Sequence, residues 1–391
     1  MSHIDALWGF LVAAVVAFSM APVVARFARS IGAIDMPRER GLSDAPTPRL
    51  GGLAILAGIL VAGVLFLPVT GDSVVAEQTR AILAGALVAA LVGTADDIWD
   101  LPAPAKLAGQ VLAAMIPVLS GVRVDTFTLP FLGHVDLGDA SGPVTVIGMV
   151  AVMNIVNFTD GVDGLAAGVC TIAAATLSII ALSLDKACLD GAATCTGAGV
   201  LAAIVAGASF GFLYHNFHPA SIFMGDAGSN MLGLLLACIA IQGAIKTAAI
   251  VALFFPLTVL AVPIIDGAFV VMKRIKYRRP VYEADRWHLH HRLANIGFSQ
   301  RRTVLYLYGW TLALAALSLA LRFVPYSDDH GHFNVGWTIV LAAFGVLALG
   351  ASLYLVYVLE ILKFTRFRER VGASPEEIEH EFETGEWEVP S

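Results

Sequence analysis

Charge is scarce in this chain. Asp, Glu, Lys and Arg make up only 14% of its 391 residues, against 58% apolar, and a soluble domain is not built that way. No basic patch is interleaved with aromatic residues, so nucleic acid is excluded as a partner. The N-terminus, Met1 to Asp5, has no positively charged leader. The apolar run that follows, Ala6 to Val24, is long for a signal peptide and reads as a retained first span. Cysteine is sparse too, with four in the chain, and their spacing fits no zinc or redox motif. Cys170 and Cys238 fall in apolar runs and read as small buried residues. Cys188 and Cys195 share one short loop. In an oxidising exterior they could pair, and two free thiols are the alternative.

What the chain does have is apolar length. Runs of about 20 apolar residues recur, each enough to span a bilayer. Eleven spans are expected, near 5–27, 51–70, 80–97, 104–121, 142–158, 164–184, 197–217, 228–245, 247–273, 303–324 and 335–362. The expected fold class is therefore an all-α polytopic membrane protein, with one helical membrane domain over 1–362. Residues 363–391 form a tail rich in Glu, which reads as a solvated appendage. Nineteen of the 24 Lys and Arg residues fall in alternate connections, which sets the N-terminus outside and the C-terminus inside. Residues 122–140 then lie outside, and their alternation around Pro130 and Gly133 predicts a small β-hairpin.

The same orientation gathers the unusual polar residues at the cytoplasmic face. Asn154, Asn157, Asp160 and Asp163 recur every third position between two apolar runs. While the backbone is helical they share a face, and Gly161 and Gly164 then let the chain leave the helix. Carboxylates at the edge of hydrocarbon are costly and usually have a task. Asp96, Asp97 and Asp100 share one turn and need a cation or a proton to offset their repulsion. Lys106 follows, suited to a phosphate or simply snorkelling at the interface. Asp226 stands between glycines just before a helix, as a metal ligand or an N-cap. Arg49 precedes Gly51-Gly52, where a helix start with free amides suits a phosphate. The last long connection carries His288, His290, His291 and Arg292. Zinc lacks a fourth ligand there, and a polyanion clamp fits the surrounding arginines better.

Together, Asp-Asp-x-x-Asp at 96–100, Asn-x-x-Asn-x-x-Asp-Gly-x-Asp-Gly at 154–164 and Phe-Met-Gly-Asp-x-Gly-Ser at 223–229 resemble the polyprenyl-phosphate N-acetylhexosamine-1-phosphate transferases. The resemblance covers most of residues 1–362. His288-Leu-His-His291 is similar to the bacterial GlcNAc-1-phosphate transferases, the undecaprenyl and decaprenyl subgroup. The MurNAc-pentapeptide translocases would be expected to show three adjacent histidines and an acidic residue.

The resemblance implies transfer of GlcNAc-1-phosphate from UDP-GlcNAc to a polyprenyl phosphate at the bacterial inner membrane, with release of UMP, as the first membrane step of a cell-envelope glycan. It implies Mg2+, with Mn2+ as substitute, held by Asn157 and Asp226. Asp163 would face the uracil. Asp96 and Asp97 would manage the lipid phosphate, with Asp160 in the same catalytic group. Lys106, His288, His290 and Arg292 would hold phosphates and sugar, with Arg49, Asp100 and His291 as further substrate contacts. Direct attack by the lipid phosphate, and double displacement through an aspartyl phosphate at Asp97, both stay open, as does a homodimer. The rival readings are the pentapeptide translocase and a non-enzymatic transporter. A transporter would more often carry its polar residues at mid-membrane and show paired repeats.

Overall fold

The computed structural model describes residues 2–36, 46–129, 133–184, 192–244, 300–325, 334–348 and 350. The expected span 247–273, the histidine segment 285–292 and the tail 363–391 lie outside the described residues.

The apolar runs form helices where they were expected. These are α1 (His3–Ser30), α2 (Gly52–Phe66), α3 (Val74–Trp99), α4 (Ala103–Leu119), α5 (Ser141–Thr159), α6 (Leu165–Ser183), α7 (Ala192–Asn216), α8 (Gly225–Ala244) and α9 (Gln300–Phe323). A shorter apolar helix, α10 (Val335–Ala348), follows. Six of the helices are long and apolar enough to cross a membrane, and α2, α4 and α10 are shorter apolar helices. Local chemistry sets several starts. Ser2 and Asp5 form a reciprocal capping box on α1. Ser73 caps α3 through the Ala76 N–H. Pro104 sits in the first turn of α4, where a missing N–H costs nothing.

Small residues let these helices approach closely. The buried face of α1 is Ala6, Gly9, Ala13, Ala17, Ala21, Ala25 and Ala28. It packs mainly against α7 and α2. Gly207 and Gly211 of α7 lie directly on the Phe10 and Ala14 carbonyls, with no room for a side chain. This is the small-xxx-small crossing that replaces hydrophobic drive inside a membrane. Elsewhere α3 packs on α8 and α4, α5 on α8, and α6 on α7. One continuous apolar core runs through α1 to α8.

Two small antiparallel ribbons lie between helices. β1 (Ile34–Asp35) pairs with β2 (Thr47–Pro48), and β3 (Thr126–Leu129) pairs with β4 (Gly133–Asp136). The first was not legible in the sequence, because each strand is only two residues long. It carries the chain from α1 into α2 and ends beside the loop before α8. There Phe223 N–H donates to Pro48 O at 2.9 Å, Gly51 N–H to Phe223 O at 2.9 Å, and Gly52 N–H to Met224 O at 2.8 Å.

Candidate active site

The site is built around the first turn of α8. Gly225 opens it at φ +73, a conformation that disfavours any side chain. The Cβ of any other residue there would also strike the Asp97 carboxylate. Three neighbouring helices crowd this turn. Gly52 of α2 abuts the Gly228 backbone, Gly93 of α3 abuts that of Asp226 and Ala227, and Asn157 of α5 reaches the Asp226 side chain.

Asp226 lies where oppositely charged and amide groups meet. Its Oδ1 accepts from Asn157 Nδ2 at 2.7 Å, and its Oδ2 is 3.8 Å from Lys106 Nζ. Asn157 also donates to Ser229 Oγ at 3.0 Å. Lys106 is bound more tightly to Asp96, at 2.5 Å from Oδ2. The other oxygen of Asp96 accepts from the Leu101 N–H, so this buried carboxylate also closes the end of α3. Asp97 accepts from the backbone N–H groups of Asp226 at 3.0 Å and Ala227 at 3.1 Å, one on each oxygen. It is an N-cap supplied to α8 by a different helix. Asp226 is thereby released from the capping role that its position also suited.

Asp160 follows α5 and closes the group, beside the Gly225 amide. Burial, then the negative charges of Asp226 and Asp97, push its carboxyl well above the ordinary carboxylate range. The turn after it depends on Gly164, at φ +81, whereas Gly161 is not in the left-handed region. Asn216 and Tyr308 hold that turn, through Gly164 N–H to Asn216 Oδ1 at 3.1 Å and Tyr308 O–H to Gly164 O at 2.5 Å. Asp163 projects from it to His218, with Oδ2 2.8 Å from Nδ1, and the same oxygen accepts from the Ala220 N–H at 3.1 Å.

The other expected contacts fall differently. Asp100 is exposed at the left-handed end of α3. Arg49 pairs with Asp35 at 2.6 Å. The Gly51 and Gly52 amides, expected to be free for a phosphate, are bonded to the Phe223 and Met224 carbonyls. A backbone donor at the site has no reason to stay free when a neighbouring loop can satisfy it. Asn154 shares a face with Asn157 but turns away to Gln110, with Nδ2 2.9 Å from Oε1. His288, His290, His291 and Arg292 lie outside the described residues. Asn216, His218, Gln110, Asn230 and Tyr308 were given no role in the sequence reading, and Ser229 entered only as the last residue of the 223–229 motif. Polar side chains inside apolar helices were the available signal for Gln110 and Asn230.

The donor set suits a hard divalent cation in kind, since every candidate is an oxygen ligand. Among the described residues no three His, Cys, Asp or Glu side chains could hold a metal by themselves. Magnesium does not require that, because it usually takes one or two protein carboxylates and completes its shell with water and substrate phosphate. Asn157 presents its Nδ2 to Asp226. Holding a cation between them requires that amide to turn over and offer its oxygen.

Residues 79–244 match the model of glycosyl transferase family 4, a stretch that contains Asp96, Asp97, Lys106, Asn157, Asp160, Asp163, His218 and Asp226. A probable undecaprenyl-phosphate N-acetylglucosaminyl 1-phosphate transferase of Bacillus subtilis is 37% identical over 315 residues, covering 79% of this chain and 84% of its own. The chain is a polyprenyl-phosphate N-acetylhexosamine-1-phosphate transferase family member. A decaprenyl-phosphate N-acetylglucosaminephosphotransferase of Mycobacterium leprae is 37% identical over 317 residues, covering 77% of this chain and 79% of its own. A phospho-N-acetylmuramoyl-pentapeptide-transferase of Moorella thermoacetica is 30% identical over 344 residues, covering 81% of this chain and 99% of its own.

Proposed function

We propose that this transferase moves GlcNAc-1-phosphate from UDP-GlcNAc onto a polyprenyl phosphate and releases UMP. The carrying observation is the convergence of three separated acidic stretches, at 96–97, 160–163 and 226, on the first turn of α8 together with Lys106. The GlcNAc reading is favoured over the pentapeptide one by 35–37% identity to the GlcNAc-type relatives against 30–34% to the pentapeptide ones, and by Leu289 and Arg292 in the histidine segment.

A lipid-phosphate oxygen attacks the β-phosphorus of the donor, the bond to UMP breaks, and one phosphoanhydride replaces another. The residues mainly position and neutralise phosphates. Lys106 supplies a positive charge between Asp96 and Asp226 and holds a phosphate oxygen. Asp160 takes up the acceptor's single proton, and Asp96 orients Lys106. Asp163 and His218 hold the nucleotide end. Asn157 and Asp226 would hold Mg2+, which when bound neutralises the donor diphosphate. Both oxygens of Asp97 are occupied by the α8 amides, which favours direct attack over an aspartyl phosphate.

The site faces the cytoplasm in this reading, with the N-terminus and the β3–β4 ribbon outside. The Lys and Arg distribution supports it. So does Cys195, which is disulfide-bonded at the end of α7 opposite Asn216, as suits an oxidising compartment. Detergent-purified protein with undecaprenyl phosphate and Mg2+ should release UMP from UDP-GlcNAc, and Asn157→Ala and Asp226→Ala should not. Comparable release from UDP-MurNAc-pentapeptide would replace this reading with the translocase one.

A further inference from the structure

Three amides, two of them buried and that of Asn154 half-buried, lie one helical turn inside the site. Gln110 Nε2 donates to Asn230 Oδ1 at 2.8 Å and to Asn154 Oδ1 at 3.4 Å. Asn154 Nδ2 returns a bond to Gln110 Oε1 at 2.9 Å, and Asn230 Nδ2 donates to the Asp226 carbonyl at 2.9 Å. Gln110 and Asn230 are almost fully buried, at 7% and 6% exposure. Each amide stands one turn from a site residue on its own helix. Gln110 follows Lys106 by four residues on α4, Asn154 precedes Asn157 by three on α5, and Asn230 follows Asp226 by four on α8. The bonded amides therefore join the three helices that deliver Lys106, Asn157 and Asp226.

We propose that Gln110, Asn154 and Asn230 form a positioning brace that sets the distances among Lys106, Asn157 and Asp226, with Gln110 as its hub. This role for the brace rests on the function proposed above. Inside a membrane, helices lack hydrophobic drive toward one another and pack on small residues and interhelical hydrogen bonds. Leu and Ala faces alone would let α4, α5 and α8 slide by fractions of an ångström. A phosphoryl-transfer site loses about 100-fold for a 1 Å misplacement. The three amides give each helix one fixed depth and rotation, because a shifted helix would leave a buried amide unpaired.

A control lies on one of the same helices, α8. Gln242 of α8 donates to Gln78 of α3 at 3.0 Å, an amide pair of the same chemistry at the other end of α8 from Asp226. Gln110→Met keeps the side-chain volume and removes the bonds, and Gln242→Met does the same at the control. For Gln110→Met, kcat should fall about 10- to 100-fold, as for outer-shell partners of ligands, while KM for UDP-GlcNAc and for undecaprenyl phosphate stays within about threefold. Gln242→Met should keep the wild-type kcat. The rise in thermal midpoint on adding Mg2+ should shrink in Gln110→Met and persist in Gln242→Met.

Wild-type kcat and a wild-type Mg2+ shift in Gln110→Met would overturn the brace, as would equal losses in both variants. If Gln110→Met does not fold, Asn154→Ala cuts one arm alone and must show the same split. If wild-type protein releases no UMP, the functional reading fails, and the brace is then judged on the Mg2+ shift, whose absence from wild-type protein also overturns it.

Discussion

Asp97 and Asp226 meet side chain to backbone: the Asp97 carboxylate caps the helix that begins at Asp226, accepting the Asp226 N–H at 3.0 Å and the Ala227 N–H at 3.1 Å. A residue with both oxygens so engaged is a poor nucleophile and a good anchor. Asparagine cannot take its place, since one of its two terminal atoms would be a donor facing a donor. Asp97→Asn should cost about 1 kcal/mol or more of stability, as lost caps do, and about 100-fold in UMP release through misplacement of Asp226. Thermal melts and initial rates check both. Donor labelled in the β-phosphate, incubated without acceptor, should leave no label on the protein. Label recovered at Asp97 would restore the double-displacement route.

Lys106 touches Asp96 at 2.5 Å and stands 3.8 Å from Asp226. Removing its charge takes away the cation that lies against Asp96 and faces Asp226. Lys106→Met should lower kcat about 100-fold or more. Lys106→Arg should not restore it, because a planar guanidinium cannot replace a compact ammonium between two carboxylates. Steady-state rates in excess of both substrates decide this. Wild-type kcat in the arginine variant would show that charge alone is required.

His218 was not singled out by the sequence, yet it shares Asp163 Oδ2 with the Ala220 N–H. With Nδ1 turned to Asp163, the remaining ring nitrogen is available to the donor. His218→Ala should raise KM for UDP-GlcNAc about tenfold, the size of one charge-assisted hydrogen bond. KM for undecaprenyl phosphate should not move. Equal shifts in both KM values would show that the pair shapes the whole site rather than the nucleotide end.

Asp160 offers a test by pH without turnover. Its folded pKa is raised by burial and then by Asp226 and Asp97. A raised carboxyl pKa means that the ionised form opposes folding, a cost that is absent below the unfolded value of about 4 and grows as pH rises above it. In EDTA, Asp160→Asn should therefore melt higher than wild type near neutral pH, and the difference should vanish near pH 4. Mg2+ should narrow the neutral-pH gap by offsetting the same repulsion. A variant that melts lower than wild type at neutral pH in EDTA would show that the ionised carboxylate is stabilising there.

How much was legible differs between the helices and the site. Apolar runs of span length fold as helices whatever their neighbours do, because no backbone group in a bilayer can be left unbonded. Among the described residues nine of the eleven expected spans accordingly coincide with helices, six of them long and apolar enough to cross a membrane; 335–362 is described only to 348 and at 350, and 247–273 lies outside the described residues. The acids at 96–97, 160–163 and 226 stood out for the same reason, as polar groups where polarity is costly. What composition and motif order could not decide was how these residues divide the work. Asp97 and Asp226 read alike in sequence, and only the packing of α3 on α8 makes one the cap and leaves the other facing Asn157 and Lys106. Asn154 and Asn157 stand one turn apart on one face, and only the placement of α4 sends the first to Gln110. Hydrogen-bond partners more than 40 residues apart depend on which helices touch, and that was settled by the close approach of Gly52, Gly93, Gly207 and Gly211 to neighbouring backbone.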